Sequence, residues 1–409
     1  MALEAAVFSV SVVSPPDAES DICVFGSKGM SEFGSRSAPK SFAQRRLESL
    51  LTNTGVTFNG NQPWDIQVSD PQFYSALLLN GSLSLGEGYM NGSWECAQID
   101  EFINRLLRSP IAQNQAFLSR ALSWLSAKVF NLQNQRRAFQ VGEHHYDIGN
   151  DLYRAMLDPN MVYSCGYWAD SDTLADAQKA KLDLICRKLE LRPGMTVLDI
   201  GCGWGSFAQY AAEHYGVEVV GVTVSKEQAE WAENVCRNLP VEIRLQDYRQ
   251  VEEQFDAVVS VGMFEHVGHK NYRTFMQVVD RCLKPSALCL LHTIGKNHNR
   301  MGLDPWTAKY IFPNGEIPSM RRVSAAVESL LVVEDWHNFG PDYDKTLMAW
   351  FHNFDSAWDQ LEHNYSNTFY RMWKYYLLCC AGAFRARRLQ LWQIVLSKGL
   401  SDQAYRRPA

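Results

Sequence analysis

The spacing of apolar residues changes period along this chain, and each change marks a different kind of structure. Short apolar runs read as strands at Thr196–Ile200, Glu218–Val222, Val241–Gln246, Phe255–Val261, Ala287–Thr293 and Leu331–Trp336. Amphipathic runs alternate with them: Thr173–Leu189, closed by Pro193-Gly194, then Ser206–His214, then a stretch capped by Ser225 with Gln228 completing a capping box. Strands alternating with helices predict an α/β fold, a doubly wound and mostly parallel sheet with helices on both faces. Upstream the period stays helical, from Ser41 through Leu47, Leu50 and Leu51, across Pro71–Leu79, and again over Ile99–Leu107. An extended segment around Asp65–Val68 and the glycines at 81, 86, 88 and 92 interrupt it. Downstream, a helix from Asn367 carries Phe369, Trp373, Tyr376, Cys380 and Phe384 on one face, a stripe that is more often core than membrane face.

These patterns divide the chain into a Ser/Gly/Pro-rich loose tail (1–40), a small, mostly helical N-terminal domain (41–125), a polar, basic linker (126–142) and a larger domain (143–409). At 409 residues the length suits two domains. Hydrophobic content of 46% and a net charge of −6 describe a folded protein and argue against a nucleic-acid partner. No apolar run reaches the roughly 18 residues of a membrane-spanning helix. Met1–Val13 carries Glu4 and no early Lys or Arg, which makes a poor secretion signal. The 10 cysteines lack any Cys-x-x-Cys and read as reduced thiols of a cytoplasmic protein.

The chemistry starts at Asp199, where a strand ends and Gly201-Cys-Gly-Trp-Gly205 turns the chain into a helix. Glycines there let a ligand approach main-chain N–H groups. A dinucleotide site would need Gly-x-Gly-x-x-Gly or Ala, and a carboxylate about twenty residues on. Here the third glycine comes one place early, and the second strand runs out at Gly221-Val-Thr223 without a carboxylate. An acidic residue before the glycines suits S-adenosylmethionine, which has no pyrophosphate to cradle. Ligands of such sheets lie beyond the carboxyl ends of the strands, which draws attention to Asp199, Thr223, Asp247-Tyr248 and Glu265-His266. Glu265 after the fourth strand and His292 near the end of the fifth could face one cavity and position a small anion. His266 and the pair His144-His145 lack metal-ligand spacing, so no metal is expected.

Longer segments carry a resemblance. Gly86-Glu-Gly-Tyr-Met90, His145-Tyr-Asp-Ile-Gly-Asn-Asp-Leu152, Tyr163-Ser-Cys-Gly-Tyr-Trp168, Val261-Gly-Met-Phe-Glu-His-Val267, Leu291-His-Thr-Ile-Gly295 and Asp335-Trp-His-Asn-Phe-Gly340 are similar to the cyclopropane-fatty-acyl-phospholipid synthase family. The likeness runs from about Ser41 to the C-terminus and fails only over the first forty residues. It implies a seven-stranded sheet of class I methyltransferase type, with S-adenosylmethionine contacts from Tyr163, Ser164, Asp199, Gly201, Gly203, Gly205, Thr223, Gln228, Asp247 and Tyr248. It implies a reaction in which a cis double bond of a phospholipid acyl chain attacks the sulfonium methyl. Loss of a proton to bound bicarbonate then closes a cyclopropane ring. The anion's contacts would come from Cys165, Glu265, His292, the backbone at Ile294, and Tyr343. Cys380 lies in a shared stretch, with a buried structural role expected rather than a nucleophilic one. Aromatic rings such as Tyr163, Tyr167, Trp168, Phe264, Tyr310, Tyr343 and Phe369 could stabilise the passing cation by roughly 0.5–2 kcal/mol each.

The same resemblance implies a bilayer with unsaturated acyl chains as partner, peripheral attachment at the inner face of the cell membrane, and a homodimer as the oligomer to test. Arg385, Arg387, Arg388, Lys398, Arg406 and Arg407, with Arg136 and Arg137, are the basic residues expected to meet anionic lipid. Two alternatives keep the sheet and cofactor: a methyl or methylene branch on lipid, or N-methylation of a small amine. A non-catalytic lipid- or cofactor-binding module is the third; an eroded glycine turn or a lost Glu265 would favour it, and both are intact.

Overall fold

The computed structural model describes residues 39–109, 149–299, 302–313, 315–399 and 404–408. The helical period upstream gives α1 (Phe42–Leu51), α2 (Gln72–Asn80), α3 (Ser82–Met90) and α4 (Ile99–Arg108), with a small ribbon of β1 (Gln67–Val68) and β2 (Trp94–Glu95). Ser41 caps α1 by accepting from the Gln44 N–H. The helix α3 was not expected, because Gly86 and Gly88 break the apolar spacing. Both glycines sit inside it for packing reasons. A Cβ at Gly86 would lie 2.3 Å from the Trp306 ring, and one at Gly88 would lie 2.9 Å from Phe73.

The alternating region and the C-terminus supply α5 (Asn150–Met156), α6 (Leu174–Lys188), β3 (Thr196–Ile200), α7 (Ser206–Tyr215), β4 (Glu218–Thr223), α8 (Lys226–Val235), β5 (Val241–Leu245), β6 (Phe255–Val261), α9 (Tyr272–Cys282) and β7 (Leu283–Lys296). There follow α10 (Pro305–Tyr310), α11 (Met320–Val327), β8 (Val332–Asn338), α12 (Pro341–Ser356), α13 (Trp358–Leu361), α14 (Asn367–Arg385) and β9 (Leu389–Ser397). The 7-stranded sheet runs β5-β4-β3-β6-β7-β9-β8. Its first five strands are parallel, whereas β9 is antiparallel to both neighbours. The strand β9 is also absent from the sequence reading, as are β2, α5 and the helices α9 to α13. The residues of β9 are buried almost throughout, so they read as an unbroken apolar run with no alternation.

The described residues from Ser41 onward form one unit. A single aromatic-rich core joins Phe73 and Phe102 of the N-terminal helices and Trp94 of β2 to Trp306, Trp350 and Trp373. The close crossing of α4 and α14 depends on Gly382, where a Cβ would lie 2.4 Å from the Asp100 carbonyl oxygen. On α14, Trp373, Tyr376 and Phe384 are buried in this core, while Phe369 and Cys380 are partly buried against it. The linker expected at 126–142, with Arg136 and Arg137, lies outside the described residues, as do the tail at 1–38 and the boundary near 125.

Four of the six C-terminal basic residues expected to meet lipid are engaged within the fold, while Arg387 and Arg406 are exposed. Arg385 is held by Asp344 at 2.9 Å and by Asp100 at 2.6 Å. Arg388 donates to the Leu107 carbonyl, Lys398 to the Leu283 carbonyl, and Arg407 pairs with Asp335. Folding spends these charges on acids and carbonyls that are distant in sequence, which local charge counting does not reveal.

Candidate functional site

The carboxyl ends of β3, β4, β5 and β6 open onto a cavity of about 200 Å³. After Asp199 the glycines at 201, 203 and 205 all take positive φ, 81°, 55° and 85°, which any side chain would strain. Tyr163, Ser164, Asp199, Gly201, Gly203, Thr223, Gln228, Asp247 and Tyr248 line this cavity, as nearly the whole expected cofactor set. Gly205 does not, although it was expected to touch the cofactor. A Cβ there would meet Ala232 of α8 at 3.0 Å, so this glycine serves the turn and the helix packing.

The polar groups on this side have partners. Thr223 Oγ1 donates to Gln228 Oε1 at 3.1 Å, leaving the Gln228 amide nitrogen as a donor for ligand oxygens. Asp247 accepts from Arg249, at 2.9 Å from its backbone N–H and 2.8 Å from its Nε. Asp199 is buried beside Lys181, whose Nζ donates to Ser164 Oγ at 2.8 Å. Burial pushes Asp199 up to about 7 while Lys181 pulls it down. Burial also lowers Lys181, to about 8, against the pull of Asp158, Cys165 and Asp199. Lys181 was missed in the sequence, where it looks like the polar face of α6. The signal was there: Ala177, Lys181, Leu184 and Lys188 are all buried at core-stripe spacing on that helix.

Behind the cavity lies a second group. Glu265 follows β6, and its Oε1 accepts from the Ile294 N–H at 2.6 Å. The cause is topological. Because β6 ends at Val261, paired with His292, the next β7 amide on that side has no ladder partner, and Glu265 takes it. The Ile294 carbonyl accepts from Thr293 Oγ1 at 3.1 Å. Of the backbone groups at Ile294, expected to contact an anion, the N–H is therefore taken by Glu265, while the carbonyl keeps a second lone pair.

Burial raises Glu265 to about 7, against the lowering effect of the Ile294 amide, and its Oε2 is buried without a hydrogen-bond partner. His292, two residues earlier on β7, is buried with Nδ1 3.3 Å from Gln393 Nε2, and its Nε2 also lacks a partner. Burial, reinforced by Lys181 and Lys188, holds this imidazole neutral.

Tyr343 and Thr346 lie one turn apart on α12, and Thr346 Oγ1 reaches Cys165 Sγ at 3.9 Å. Burial keeps the Tyr343 phenol protonated, and the fields of Cys165, Tyr163, Glu265 and Cys380 add to the effect. Cys165 and Cys380 are likewise held as thiols by burial, Cys380 at about 12, which suits packing rather than attack.

Cavity and cluster share segments. Ser164 lines the cavity beside Cys165, and Met263 and His266 line it on either side of Glu265. Burial lowers His266 to about 4, so its contribution there is a neutral ring. Aromatic rings enclose the junction: Tyr163 lies 5.1 Å from Trp350, its hydroxyl 3.0 Å from that of Tyr376, and Tyr343 lies 4.6 Å from Phe384. From the segment around His145, Asn150 accepts from Trp204 Nε1 at 3.2 Å, while residues 144–148 lie outside the described residues.

A family model described as mycolic acid cyclopropane synthetase matches residues 133–394. The cyclopropane-fatty-acyl-phospholipid synthase of Escherichia coli (strain K12) is 53% identical over 368 residues, covering 90% of this chain and 96% of that protein. Among solved structures, the cyclopropane synthase MmaA2 from Mycobacterium tuberculosis matches with a TM-score of 0.61 at 32% identity, over 66% of this chain and 100% of that one. The mycolic acid cyclopropane synthase CmaA1, solved with SAH and CTAB, matches with a TM-score of 0.60 at 35% identity, over 64% and 98%. Coclaurine N-methyltransferase, at 22% identity and a TM-score of 0.63, shares the fold. The region matched by the family model contains the glycine turn, Glu265, His292 and Tyr343, and with it the chain belongs to the mycolic acid cyclopropane synthetase family.

Proposed function

We propose that this enzyme transfers the methyl of S-adenosylmethionine to the cis double bond of an unsaturated phospholipid acyl chain, and that proton loss to bicarbonate closes a cyclopropane ring. When bound, the two small molecules supply an electrophilic methyl and a base for the departing proton. The residues divide the remaining work. Asp199 and Gln228 offer an acceptor and a donor to the polar parts of a cofactor on the glycine turn. Lys181 holds Ser164 in place by its hydrogen bond. Tyr163, Tyr343, Trp350 and Tyr376 exclude water and present ring faces to a cation without competing as nucleophiles.

The observation that carries the reading is the pair of buried, partnerless atoms Glu265 Oε2 and His292 Nε2, behind a glycine-turn cavity. Other buried side-chain atoms, such as Gln178 Oε1 and Trp336 Nε1, also lack a partner; what sets this pair apart is its chemistry, a donor–acceptor set that fits a small oxyanion carrying one proton. Glu265 can accept that proton's hydrogen bond, while His292 Nε2–H and the Tyr343 phenol donate to the anion's oxygens.

No helix among the described residues is long and apolar enough to cross a membrane, and the lipid contact in this reading is peripheral. Phe42 (73% exposed) and Leu79 (82%), on the N-terminal helices, are the side chains best suited to it. Purified protein, S-adenosylmethionine and unsaturated phospholipid vesicles should yield fatty esters heavier by one carbon and two hydrogens, with ring protons in the NMR spectrum. A branched or methylene product would refute ring closure, and full turnover in carbonate-free buffer would remove the anion. Flotation with anionic vesicles at low salt should carry the protein upward; its absence would refute surface attachment.

A further inference from the structure

The antiparallel edge of the sheet puts three polar side chains in one row. His292 on β7 pairs with Gln393 on β9, and Gln393 pairs in turn with His337 on β8. Residues opposite one another on neighbouring strands point to the same face. Gln393 is fully buried, and its Nε2 lies 3.3 Å from His292 Nδ1. A neutral imidazole has one N–H and one bare nitrogen, so whichever end of the amide faces Nδ1 decides what Nε2 can do. An amide N–H at Nδ1 leaves the ring proton on Nε2, a donor for an oxyanion. An amide oxygen there would draw the proton to Nδ1 and turn a lone pair toward the anion.

Charge decides between them. Beyond Gln393 in the same row, His337 Nδ1 lies 3.0 Å from Nζ of Lys188, itself buried and 3.7 Å from Asp335. A lysine at that nitrogen acts as donor, so this end of the row is the cationic one. The amide dipole is lower in energy with its oxygen toward that cation and its NH₂ toward His292.

We propose that Gln393 is a positioning residue that fixes the tautomer of His292, keeping its proton on Nε2 for a bound oxyanion. This rests on the reading of Glu265 and His292 as an anion site, but the tautomer itself is tested without the anion. Protein labelled with ¹⁵N-histidine, His292 being assigned by its loss in His292→Asn, should show His292 as neutral Nε2–H between pH 6 and 8. In Gln393→Glu, whose carboxylate only accepts, the pattern should move to Nδ1–H or to the doubly protonated ring. Gln393→Met, isosteric and without a donor, should give a mixture of tautomers and serves if the glutamate variant does not fold. In both variants S-adenosylmethionine affinity by calorimetry should stay within about twofold, while the KM for bicarbonate rises roughly tenfold or more, as expected for losing a hydrogen bond to a charged group. A wild-type Nδ1–H tautomer, or Nε2–H persisting unchanged in both variants, overturns the proposal. Should the tautomer respond as expected while ¹³C-bicarbonate leaves the His292 signals unmoved, the assignment of Gln393 stands and the anion reading falls.

Discussion

The two halves of the site are built on opposite terms. On the cofactor side the polar groups are set by their neighbours: Thr223 bonds Gln228, Asp247 bonds Arg249, and Asp199, in the field of Lys181, lines the cavity. Across Ser164-Cys165, the Glu265–His292 cluster leaves two buried atoms unmatched and holds a carboxyl group that burial pushes up to about 7. The first half is complete as folded and should bind. The second is left incomplete and should react once its missing partner arrives. The difference predicts that mutations on the two sides separate affinity from turnover.

Glu265→Gln gives the sharpest separation. Removing a group that handles the proton should lower ring formation by about 10²–10⁴-fold, the usual range for general acid–base roles. Affinity for S-adenosylmethionine by calorimetry should change by no more than about twofold. A parallel collapse of cofactor binding would erase the distinction between the halves. Asp199→Asn should do the reverse. Losing a charged acceptor costs about 1.5–3 kcal/mol, or roughly ten- to a hundredfold in cofactor Kd, with turnover at saturating cofactor largely kept.

Lys181→Met refines the cofactor half. Without the buried ammonium, Asp199 loses the group that holds its pKa down, so it ionises at higher pH. A cationic cofactor needs the ionised carboxylate, so binding strengthens as pH rises through that titration. In the variant the rise should be displaced upward, leaving affinity about tenfold weaker at pH 7 and closer to the wild type at pH 9. Calorimetry across that range checks it, and an unshifted profile would mean that Lys181 only supports Ser164.

The same division explains what the sequence reveals and what it conceals. The cofactor half is local: a strand, a glycine turn and a capped helix, each with its own periodicity, so Asp199 and Thr223 can be located from spacing alone, while Gln228 reads there as a helix cap and joins the cofactor set through the resemblance. The reactive cluster draws on Cys165, Glu265, His292 and Tyr343 from four separate segments; strand ends bring Glu265 and His292 together beforehand, and only long motif resemblance adds Cys165 and Tyr343. Lys181 and Gln393 escaped both routes. Lysine on a helix is expected in water, and Gln393 sits in β9, a strand buried on both faces that lacks the alternation by which edge strands are recognised. The helix α3 was hidden for a related reason: Gly86 is a poor helix former, kept because the Trp306 ring occupies the space of a side chain.

The smallest expected effect tests the incompleteness directly, in the absence of any ligand. Glu265 has an ordinary carboxyl pKa when unfolded and one near 7 when folded, raised chiefly by burial. Between those values the folded state binds the proton that the unfolded state has released, so stability falls as pH rises across the interval. The penalty is absent below about pH 4.5 and full above about pH 7. Glu265→Gln, neutral at every pH, escapes it. The variant that loses turnover should therefore be the more stable protein at pH 8, by about 1–3 kcal/mol, or roughly 2–8 °C in Tm, with the gain shrinking toward zero as pH is lowered to 5. Bicarbonate should raise the Tm of the wild type and leave that of the variant unchanged, since only the former retains the acceptor for the anion's proton. A variant less stable than wild type at pH 8 would mean that Glu265 is held by the Ile294 amide as an ordinary structural cap, and the contrast between a finished and an unfinished half would disappear.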